Sequence, residues 1–378
     1  MTDDHPELPL AMFPPESLRP VYIEMMFSPD GSHATRESDM FLLAKGTGFL
    51  YRIAGQIYLV TARHNFSGRH WETNEFLRNN YRVSPTHVAV GFRATTPTAV
   101  YQTGFQVAVQ QYLINLIDET WTPIWREHPR FGRSVDIAAI PFNLPTDQGE
   151  LVIDAWDEVP PAREAPRLWV SQQVSVVGYP YGLRGSFDLP LWTGGTIASE
   201  PALLHVYRNN EYPLFLVDCR GRKGHSGSPV VTVRQPLSLT NENGKFEVAP
   251  APRWQLVGVY TGRVPEDYGA REGSAFGAAS PPAGPDEDDP VIDHETDIPG
   301  ADEEVTRRLR DLARRFEKLS RQAKQSSDLG FVWRVQEATE ICRSGVAGES
   351  GPVGINPGNV EPQEPQATLM TDPPSPIG

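Results

Sequence analysis

Between residues 41 and 263 the sequence is a series of short apolar or alternating segments separated by turn residues. These segments are rich in Val, Ile and aromatic residues, which favour β-strands. Short strands joined by Gly and Pro turns predict an all-β barrel or sandwich and argue against a parallel α/β sheet. The predicted strands are TGFLYRI (47–53), QIYLVTA (56–62), THVAVGF (86–92), GFQVAVQQYLI (104–114), VDIAAIPF (135–142), QVSVVGYP (173–180), LFLVDCR (214–220), SPVVTV (228–233) and WQLVGVY (254–260).

After Arg263 the composition changes abruptly. Residues 265–304 are rich in Asp, Glu, Pro, Gly and Ala, which predicts a mobile acidic loop. An amphipathic helix is predicted next, because apolar residues follow at alternating spacings of four and three: Val305, Leu309, Leu312, Phe316 and Leu319. This helix either packs on the surface of the β domain or forms a dimerising coiled coil, and packing is the more frequent outcome for so short a stripe.

The segment LGFVWRVQEATEICRS (329–344) returns to a strand followed by a helix, and beyond Gly345 a tail rich in Pro and Gly is predicted to be disordered. The predicted organisation is an N-terminal extension (1–36), a β domain (37–264), an insertion (265–327), a closing strand and helix (328–345) and a tail (346–378).

Charge and composition exclude several classes of protein. The chain has 34 basic and 48 acidic residues, a net charge of -14, which argues against general nucleic-acid binding. No apolar run approaches the length of a membrane helix, and the acidic, proline-containing start does not resemble a secretory signal, so a cytoplasmic protein without a membrane partner is expected. Cys219 and Cys342 are too few for a disulfide framework or a four-cysteine zinc site and are expected to be buried apolar residues.

Three short motifs carry the residues that a serine nucleophile requires. His64 follows an apolar strand in LVTARHNFSG, and Asp136 lies in the otherwise apolar VDIAAIPF, where a buried carboxylate needs a partner. Ser226 lies in GRKGHSGSPVV, whose glycines allow a turn that points the N–H groups of Gly224 and Ser226 to one oxyanion site. A serine nucleophile needs a base, a carboxylate that orients the base and an oxyanion hole, and the three motifs contain a candidate for each.

The motifs TARH, VDIAAI and GHSGSP, in this order, resemble the three catalytic blocks of the chymotrypsin-like (trypsin-like) serine proteases, here of a cytosolic bacterial type. An α/β-hydrolase would show the order Ser, Asp, His and a G-x-S-x-G elbow, whereas the fifth position here is Ser228. The resemblance implies a double six-stranded β-barrel with a C-terminal helix. It also implies a triad of His64, Asp136 and Ser226 that hydrolyses protein or peptide substrates without a metal or organic cofactor.

The same resemblance places three further residues near the substrate. Thr261, in LVGVYTGR, corresponds to a small hydroxyl residue that supports the catalytic Asp, and Gly330 belongs to the closing strand beside the substrate pocket. Arg220 occupies the position at the base of the primary specificity pocket. If Arg220 faces the pocket, acidic substrate side chains are favoured; alternatively it turns outward or pairs with Asp218.

Two departures from the family concern activation. His225 stands where secreted members have an Asp that pairs with a newly cut N-terminus, so activation by such cleavage is not expected. The acidic insertion emerges next to the active site, and one hypothesis is that Asp286–Asp289 dock on the basic residues Arg220, Arg222, Lys223 and Arg263 until an activating protein partner displaces them. The alternative is a solvated loop that tethers a surface helix.

A second function class remains open at this point. A chain with this fold can also be a catalytically silent or self-processing scaffold or sensor that binds a protein partner. An intact triad argues against that alternative but does not guarantee a formed oxyanion hole.

Overall fold

The computed structural model describes thirteen segments of the chain, and all structural statements concern them. They are residues 14–36, 39–77, 82–94, 108–143, 151–152, 154–159, 167–185, 188–207, 210–234, 239–240, 246–247, 253–265 and 326–349. The predicted amphipathic helix and the acidic run lie outside these segments, as does the predicted tail from residue 350 onward.

The described chain is dominated by β-strands, with two α-helices, α1 (Arg63–Ser67) and α2 (Val335–Ser344). The strands are β1 (Pro20–Phe27), β2 (Phe41–Ile53), β3 (Gln56–Thr61), β4 (His87–Ala94), β5 (Ala108–Asn115), β6 (Arg126–Glu127), β7 (Ala138–Pro141), β8 (Leu151–Val152), β9 (Trp156–Asp157), β10 (Gln173–Gly178), β11 (Leu191–Ile197), β12 (His205–Tyr207), β13 (Asn210–Tyr212), β14 (Leu214–Cys219), β15 (Ser228–Arg234), β16 (Leu239–Thr240), β17 (Phe246–Glu247), β18 (Arg253–Pro265), β19 (Ser326–Arg334) and β20 (Val346–Ala347).

The N-terminal half forms a ten-stranded sheet with the hydrogen-bonded order β20-β6-β7-β3-β2-β1-β4-β5. Strands β8 and β9 pair with β4 and β2 at its side, and β9 with β2 is a parallel pair. The C-terminal half closes into a six-stranded barrel in the order β10-β11-β14-β19-β18-β15. Closure removes the exposed strand edges that would otherwise be free to pair with another chain.

Side chains along a strand point alternately to its two faces, and the buried apolar residues therefore form three adjoining core clusters. Leu50, Leu59 and Val90 belong to the core of the N-terminal sheet, and Val176, Phe215 and Val332 fill the barrel. A third cluster joins the two halves, because it contains residues of both sheets and of α2, including Phe49, Val60, Val177, Trp333 and Ile341. The halves are therefore packed together, and the functional residues lie where they meet.

Helix α2 closes the fold with one buried face. Val335, Ala338, Ile341 and Cys342 are buried at helical spacing, and the Tyr51 hydroxyl is hydrogen-bonded to Thr339 Oγ1 at 2.8 Å. After the helix, β20 pairs with β6 of the N-terminal sheet. Residues 346–349, the first part of the predicted tail, thus belong to the described fold.

The fold class expected from the sequence, an all-β chymotrypsin-like architecture with a C-terminal helix, is confirmed. All nine predicted strands are present, and so are the closing strand and its helix. Two details differ from the expectation. The N-terminal half carries additional edge pairings that make it a ten-stranded sheet, and β1, from the segment predicted as an extension, lies between β2 and β4 with nearly every residue buried.

The cysteine prediction is confirmed as well, since Cys219 and Cys342 are both buried and unpaired with each other. Burial raises the pKa of the Cys219 thiol to about 11, so the thiol is neutral at physiological pH. Neither helix within the described segments is long and apolar enough to cross a bilayer.

Candidate active site

His64 and Asp136 are in direct contact at the junction of the two halves. His64 Nδ1 lies 2.8 Å from Asp136 Oδ2, and the backbone N–H of His64 donates to Asp136 Oδ1 at 3.0 Å. The Asp136 side chain is 2% exposed, and that of His64 is 15% exposed. With Asp136 ionised, the Nδ1 proton is held by the carboxylate and Nε2 is left as the acceptor, which is the tautomer a general base requires.

Local structure explains why these two side chains meet. Strand β3 pairs with β7, and the chain turns directly from β3 into α1, which ends at Gly68 with φ +67°. The N–H of Arg63 at the start of the helix donates to the backbone oxygen of Asp136 at 3.2 Å. Backbone bonds on both sides therefore fix His64 against Asp136 before the side chains contribute.

A buried ion pair supports the same helix. Arg63 is fully buried, and its Nε donates to Glu127 Oε1 at 2.7 Å, while its guanidinium lies 5.8 Å from the centre of the Trp125 ring. The adjacent residue in sequence is His64. Arg63 thus anchors the helix that carries the imidazole to strand β6.

Ser226 lies on the loop between β14 and β15 and approaches the same junction from the barrel. Its Oγ donates to the backbone oxygen of Thr261 at 3.0 Å. Within the described residues no hydrogen bond joins Ser226 Oγ to His64 Nε2. Both side chains line one cavity. Catalytic hydrogen bonds are often long or misaligned when substrate is absent and tighten in the complex.

In the loop that contains Ser226, the carbonyl groups of residues 222–226 all accept hydrogen bonds. The acceptors and their donors are Arg222 O with His225 N, Lys223 O with Tyr181 N, Gly224 O with Thr47 Oγ1, His225 O with Ser228 N, and Ser226 O with Thr47 N and Asn65 Nδ2. In the part of the chain that the structure describes, the N–H groups of Gly224 and Ser226 have no hydrogen-bond partner. Two free backbone donors beside a serine hydroxyl are what an oxyanion hole requires.

Gly224 and Gly227 are required by this loop conformation. Gly224 has φ +95°, and a Cβ there would lie 2.4 Å from the Tyr179 backbone oxygen. Gly227 has φ +88°, and its Cβ would lie 2.0 Å from the Thr47 backbone oxygen. Only glycine fits both the dihedral angle and the space at these two positions.

Thr47 and Asn65 position the loop, and sequence reasoning missed both. The Thr47 hydroxyl donates to Gly224 O at 2.8 Å and accepts from Tyr179 N at 3.0 Å. Asn65 Nδ2 donates to Thr61 Oγ1 and to Ser226 O at 2.9 and 3.0 Å. Asn65 directly follows His64, so the same helix carries the imidazole and the amide that is hydrogen-bonded to the Ser226 backbone oxygen. The sequence does show polar residues at these positions in or beside apolar strands. It does not show their partners, because three of these hydrogen bonds join residues more than 130 positions apart.

His225 is a structural part of the loop. Its ring is 1% exposed; Nδ1 accepts from Arg222 N at 3.0 Å, and Nε2 lies 3.1 Å from Thr193 Oγ1. Burial is the main reason that the pKa of His225 falls to about 4. The ring is therefore neutral near pH 7, and both of its nitrogens are occupied by loop and barrel partners.

The structure brings Thr261 next to Ser226 through its backbone. The Thr261 carbonyl accepts from Ser226 Oγ, whereas its hydroxyl accepts from Trp333 Nε1 at 3.2 Å. Thr261, Asp136 and His64 all line one cavity. Among the described residues the recorded partner of the Thr261 hydroxyl is Trp333, and support of Asp136 by this hydroxyl stays a prediction.

The other two predicted substrate residues have different environments. Arg220 is exposed, and Gly330 lies in β19 opposite Val217 and Arg263 of the neighbouring strands. The insertion leaves the described fold at Pro265 and re-enters at Ser326, which are paired with each other, and Pro265 lines a cavity together with His64. The acidic run itself lies outside the described residues, so its docking on the basic cluster stays a prediction.

Two cavities open on either side of His64. One, of about 600 Å³, lies on the Ser226 and Gly224 side and is bordered by Lys45, Tyr181 and Lys223. The other, of about 230 Å³, lies on the Asp136 and Thr261 side. It is lined by His64, His70, Trp71, Glu72, Leu77, Asp136, Tyr207, Thr261, Gly262, Arg263, Pro265 and Phe331. His64 lines both cavities, whereas Ser226 lines only the larger one.

One cluster of metal-ligand type occurs in the described segments, and it contains none of His64, Asp136 and Ser226. His128 Nε2 lies 3.0 Å from Glu337 Oε2 and 3.3 Å from Glu340 Oε2. Arg130 also forms two hydrogen bonds to the Glu340 carboxylate. Because the Arg130 guanidinium already pairs with that carboxylate, we interpret the cluster as a polar network that ties α2 to the N-terminal half.

Comparison with known proteins identifies one family model that matches the chain. The family model described as trypsin-like peptidase domain matches residues 46–235, half of the chain. No curated protein matches the chain.

Among solved structures, the Rv3671c protease of M. tuberculosis is similar. Its active form is 14% identical, with 90% of this chain and 86% of that chain covered and a TM-score of 0.36. The inactive form of its Ser343Ala mutant is 14% identical, with 87% and 85% covered and a TM-score of 0.35. The matched region contains the segments that hold His64, Asp136 and Ser226, and the chain belongs to the trypsin-like peptidase domain family of chymotrypsin-like serine proteases.

Proposed function

We propose that the protein is a serine endopeptidase that cleaves proteins or peptides by acyl transfer through Ser226. The observation that carries the proposal is the convergence of three features at one junction. These are the His64–Asp136 pair, the Ser226 hydroxyl at the same cavity, and the two unpartnered N–H groups of Gly224 and Ser226. Each feature matches one requirement of acyl transfer by a serine.

In the first step the Ser226 hydroxyl leaves the Thr261 carbonyl, and His64 Nε2 accepts its proton as Oγ attacks the substrate carbonyl carbon. Asp136 stabilises the imidazolium through its 2.8 Å contact with Nδ1. The negative oxygen of the tetrahedral intermediate is bound by the N–H groups of Gly224 and Ser226. His64 then gives the proton to the leaving amine, and an acyl-enzyme on Ser226 remains.

In the second step water takes the place of the amine. His64 removes a proton from this water, and hydroxide attacks the ester carbonyl in the same oxyanion hole. The intermediate breaks down to a free carboxylic acid, and the proton returns to Ser226 Oγ. Each step reuses the same donors, so one preorganised loop serves acylation and deacylation.

The rival function is a protease-fold scaffold or sensor without catalytic turnover. The observation that favours it is the Ser226 to Thr261 hydrogen bond, which engages the hydroxyl proton that His64 would have to accept. The Ser226 hydroxyl is bonded only through its own proton, whereas the N–H groups of Gly224 and Ser226 are already without partners among the described residues. The endopeptidase is therefore the function that the geometry supports better.

A peptide-library digest tests the proposal. The purified protein is incubated with a mixture of synthetic peptides, and products are identified by mass spectrometry. We expect endoproteolytic cleavage that is lost in Ser226→Ala and His64→Ala and retained in Ser344→Ala, which alters an exposed serine at the end of α2. Cleavage that persists in Ser226→Ala would contradict the proposed nucleophile.

A further inference from the structure

We infer that the ring of Tyr260 fills the primary specificity pocket, so that the enzyme cleaves after small residues such as Gly, Ala and Ser. This inference rests on the proposed endopeptidase function and names the substrate class of the same site. It concerns a residue that neither the triad nor the oxyanion hole uses.

The position of the attacked carbonyl defines where the adjoining substrate side chain must go. The carbonyl carbon lies at Ser226 Oγ with its oxygen toward the N–H groups of Gly224 and Ser226. In the chymotrypsin-like family to which the chain belongs, the side chain of the residue on the acyl side, called P1, enters between the segment before the nucleophile and the strand beside the cleft, which are here 221–224 and 261–263. Gly330 lies behind this opening, because it pairs with Arg263 across β18 and β19.

The ring of Tyr260 occupies the space between these two walls. A Cβ built on Gly221 would lie 1.8 Å from Tyr260 Oη, and a Cβ built on Gly330 would lie 2.3 Å from Tyr260 Cε2. The ring also meets the imidazole of His225 edge to face, with centroids 6.1 Å apart. Tyr260 therefore reaches from the closing strand to the oxyanion loop, and the absent side chains of two glycines leave room for it.

The remaining space supports the same conclusion. Tyr260 is 1% exposed, and neither cavity beside His64 is lined by Gly221, Tyr260 or Gly330. A long P1 side chain would have to displace the Tyr260 ring from its close-packed surroundings. Forcing extra atoms into such a site is destabilising even when the surroundings adjust.

The ring of Tyr260 itself offers no charge to a substrate side chain, although Arg222 and Arg263 act on it electrostatically. The hydroxyl of Tyr260 is buried and has no hydrogen-bond partner among the described residues. Burial raises the pKa of Tyr260, so the hydroxyl is neutral. Arg220, which would favour acidic side chains if it faced the pocket, is exposed. Selection by Tyr260 is therefore steric, and a difference of a single methylene group in such a pocket changes rates by about 10- to 200-fold.

The test compares cleavage preferences of the full-length wild type, Tyr260→Val and Tyr260→Phe. Each protein digests a peptide library in which P1 varies and neighbouring residues are fixed. We expect the wild type to cleave after Gly, Ala or Ser at least about tenfold faster than after Leu, Phe, Lys or Asp. The Val variant, which lacks the ring, is expected to gain at least about tenfold for Leu or Phe relative to Ala. The Phe variant keeps the ring and is expected to retain the small-residue preference.

The outcomes separate this inference from the function on which it rests. Labelling of Ser226 by a fluorophosphonate together with a wild-type preference for Leu, Phe, Lys or Asp would overturn the inference alone. Absence of both labelling and cleavage in the wild type would overturn the proposed function and the inference with it. If the Val variant does not fold, as judged by its thermal melt, the wild-type profile and the Phe variant still decide.

Discussion

His64 and Asp136 are joined twice, because one carboxylate oxygen lies 2.8 Å from the ring Nδ1 and the other accepts the His64 backbone N–H at 3.0 Å. The carboxylate thus orients the ring and fixes the chain that carries it. An amide at this position would keep the shape, but its NH₂ group could face Nδ1 and favour the wrong tautomer. Nε2 would then carry the ring proton and could not accept the proton of Ser226.

Asp136→Asn is therefore expected to lower kcat by about 10⁴-fold with little loss of fold, as for a triad carboxylate replaced by an amide. The measurement is kcat on a peptide substrate, with thermal melting as the check on folding. Asp157→Asn is the matched control, because this carboxylate is 76% exposed and pairs with Arg52. A loss of less than about tenfold in Asp136→Asn would mean that Asp136 does not orient the base.

Gly224→Ala tests the oxyanion loop. The added methyl group meets the Tyr179 backbone oxygen at 2.4 Å and needs an unfavourable φ of +95°, so the 224 N–H must change direction. Loss of one oxyanion donor lowers kcat by about 10²- to 10³-fold. Steady-state kinetics should show the loss in kcat with a smaller change in KM. The control is Gly194→Ala, where a Cβ has no heavy atom within 4 Å, and equal activity of the two variants would argue against the assigned hole.

The buried pair of Arg63 and Glu127 predicts a large stability effect beside the active site. Glu127→Ala leaves the fully buried guanidinium of Arg63 without its carboxylate. Removing one partner of a buried ion pair costs about 3 to 5 kcal/mol. Urea unfolding should show a loss of this size, whereas Asp157→Ala, at the exposed pair with Arg52, should cost about 1 kcal/mol or less. Similar losses in both variants would mean that the Arg63 charge is solvated.

His225 predicts a pH dependence of stability. Its pKa in the folded protein is about 4, below the 6.5 of the unfolded chain, because burial disfavours the charged ring. The unfolded state therefore binds more protons between these two values, and stability falls as pH drops from about 6.5 to 4. The loss from this residue alone is about 3 kcal/mol when integrated over the window.

The measurement is urea unfolding of the wild type and His225→Asn at intervals from pH 7 to 4. The Asn side chain can accept the Arg222 N–H but does not titrate, so the variant should lose less stability over this range. His70 and His87 also have pKa values lowered mainly by burial, and their contributions remain in both proteins. Parallel curves for the two proteins would show that His225 is not the residue responsible.

Much of the fold was predictable because local pattern and burial agree. The strands from TGFLYRI to WQLVGVY show the apolar runs that buried strands need, and the order of His64, Asp136 and Ser226 identified the family. Strand β1 was missed because VYIEMMF follows a proline-rich start and contains the charged residue Glu24. Both features are unusual for a strand that lies between two others. Strand β11 was missed because LWTGGTI has adjacent glycines.

The finer features of the site depend on contacts that no local pattern encodes. The Thr47 hydroxyl bonds Gly224 across 177 positions of the chain, and Asn65 reaches Ser226 across 161. In the sequence, Tyr260 has the pattern of an ordinary strand residue. Its role depends on Gly221 and Gly330, which lie on either side of its ring in the folded chain. Such contacts follow from the closure of the barrel and its packing against the N-terminal sheet.

The most direct test of the central claim is to locate the residue that a fluorophosphonate labels. The probe phosphonylates an activated serine, and its adduct places a phosphoryl oxygen in the oxyanion hole, so it reports the base, the nucleophile and the hole together. Mass spectrometry of the wild type should find the adduct on Ser226, with none in Ser226→Ala or His64→Ala and normal labelling in Ser344→Ala. An unlabelled, correctly folded wild type, or a label on another serine, would contradict the account.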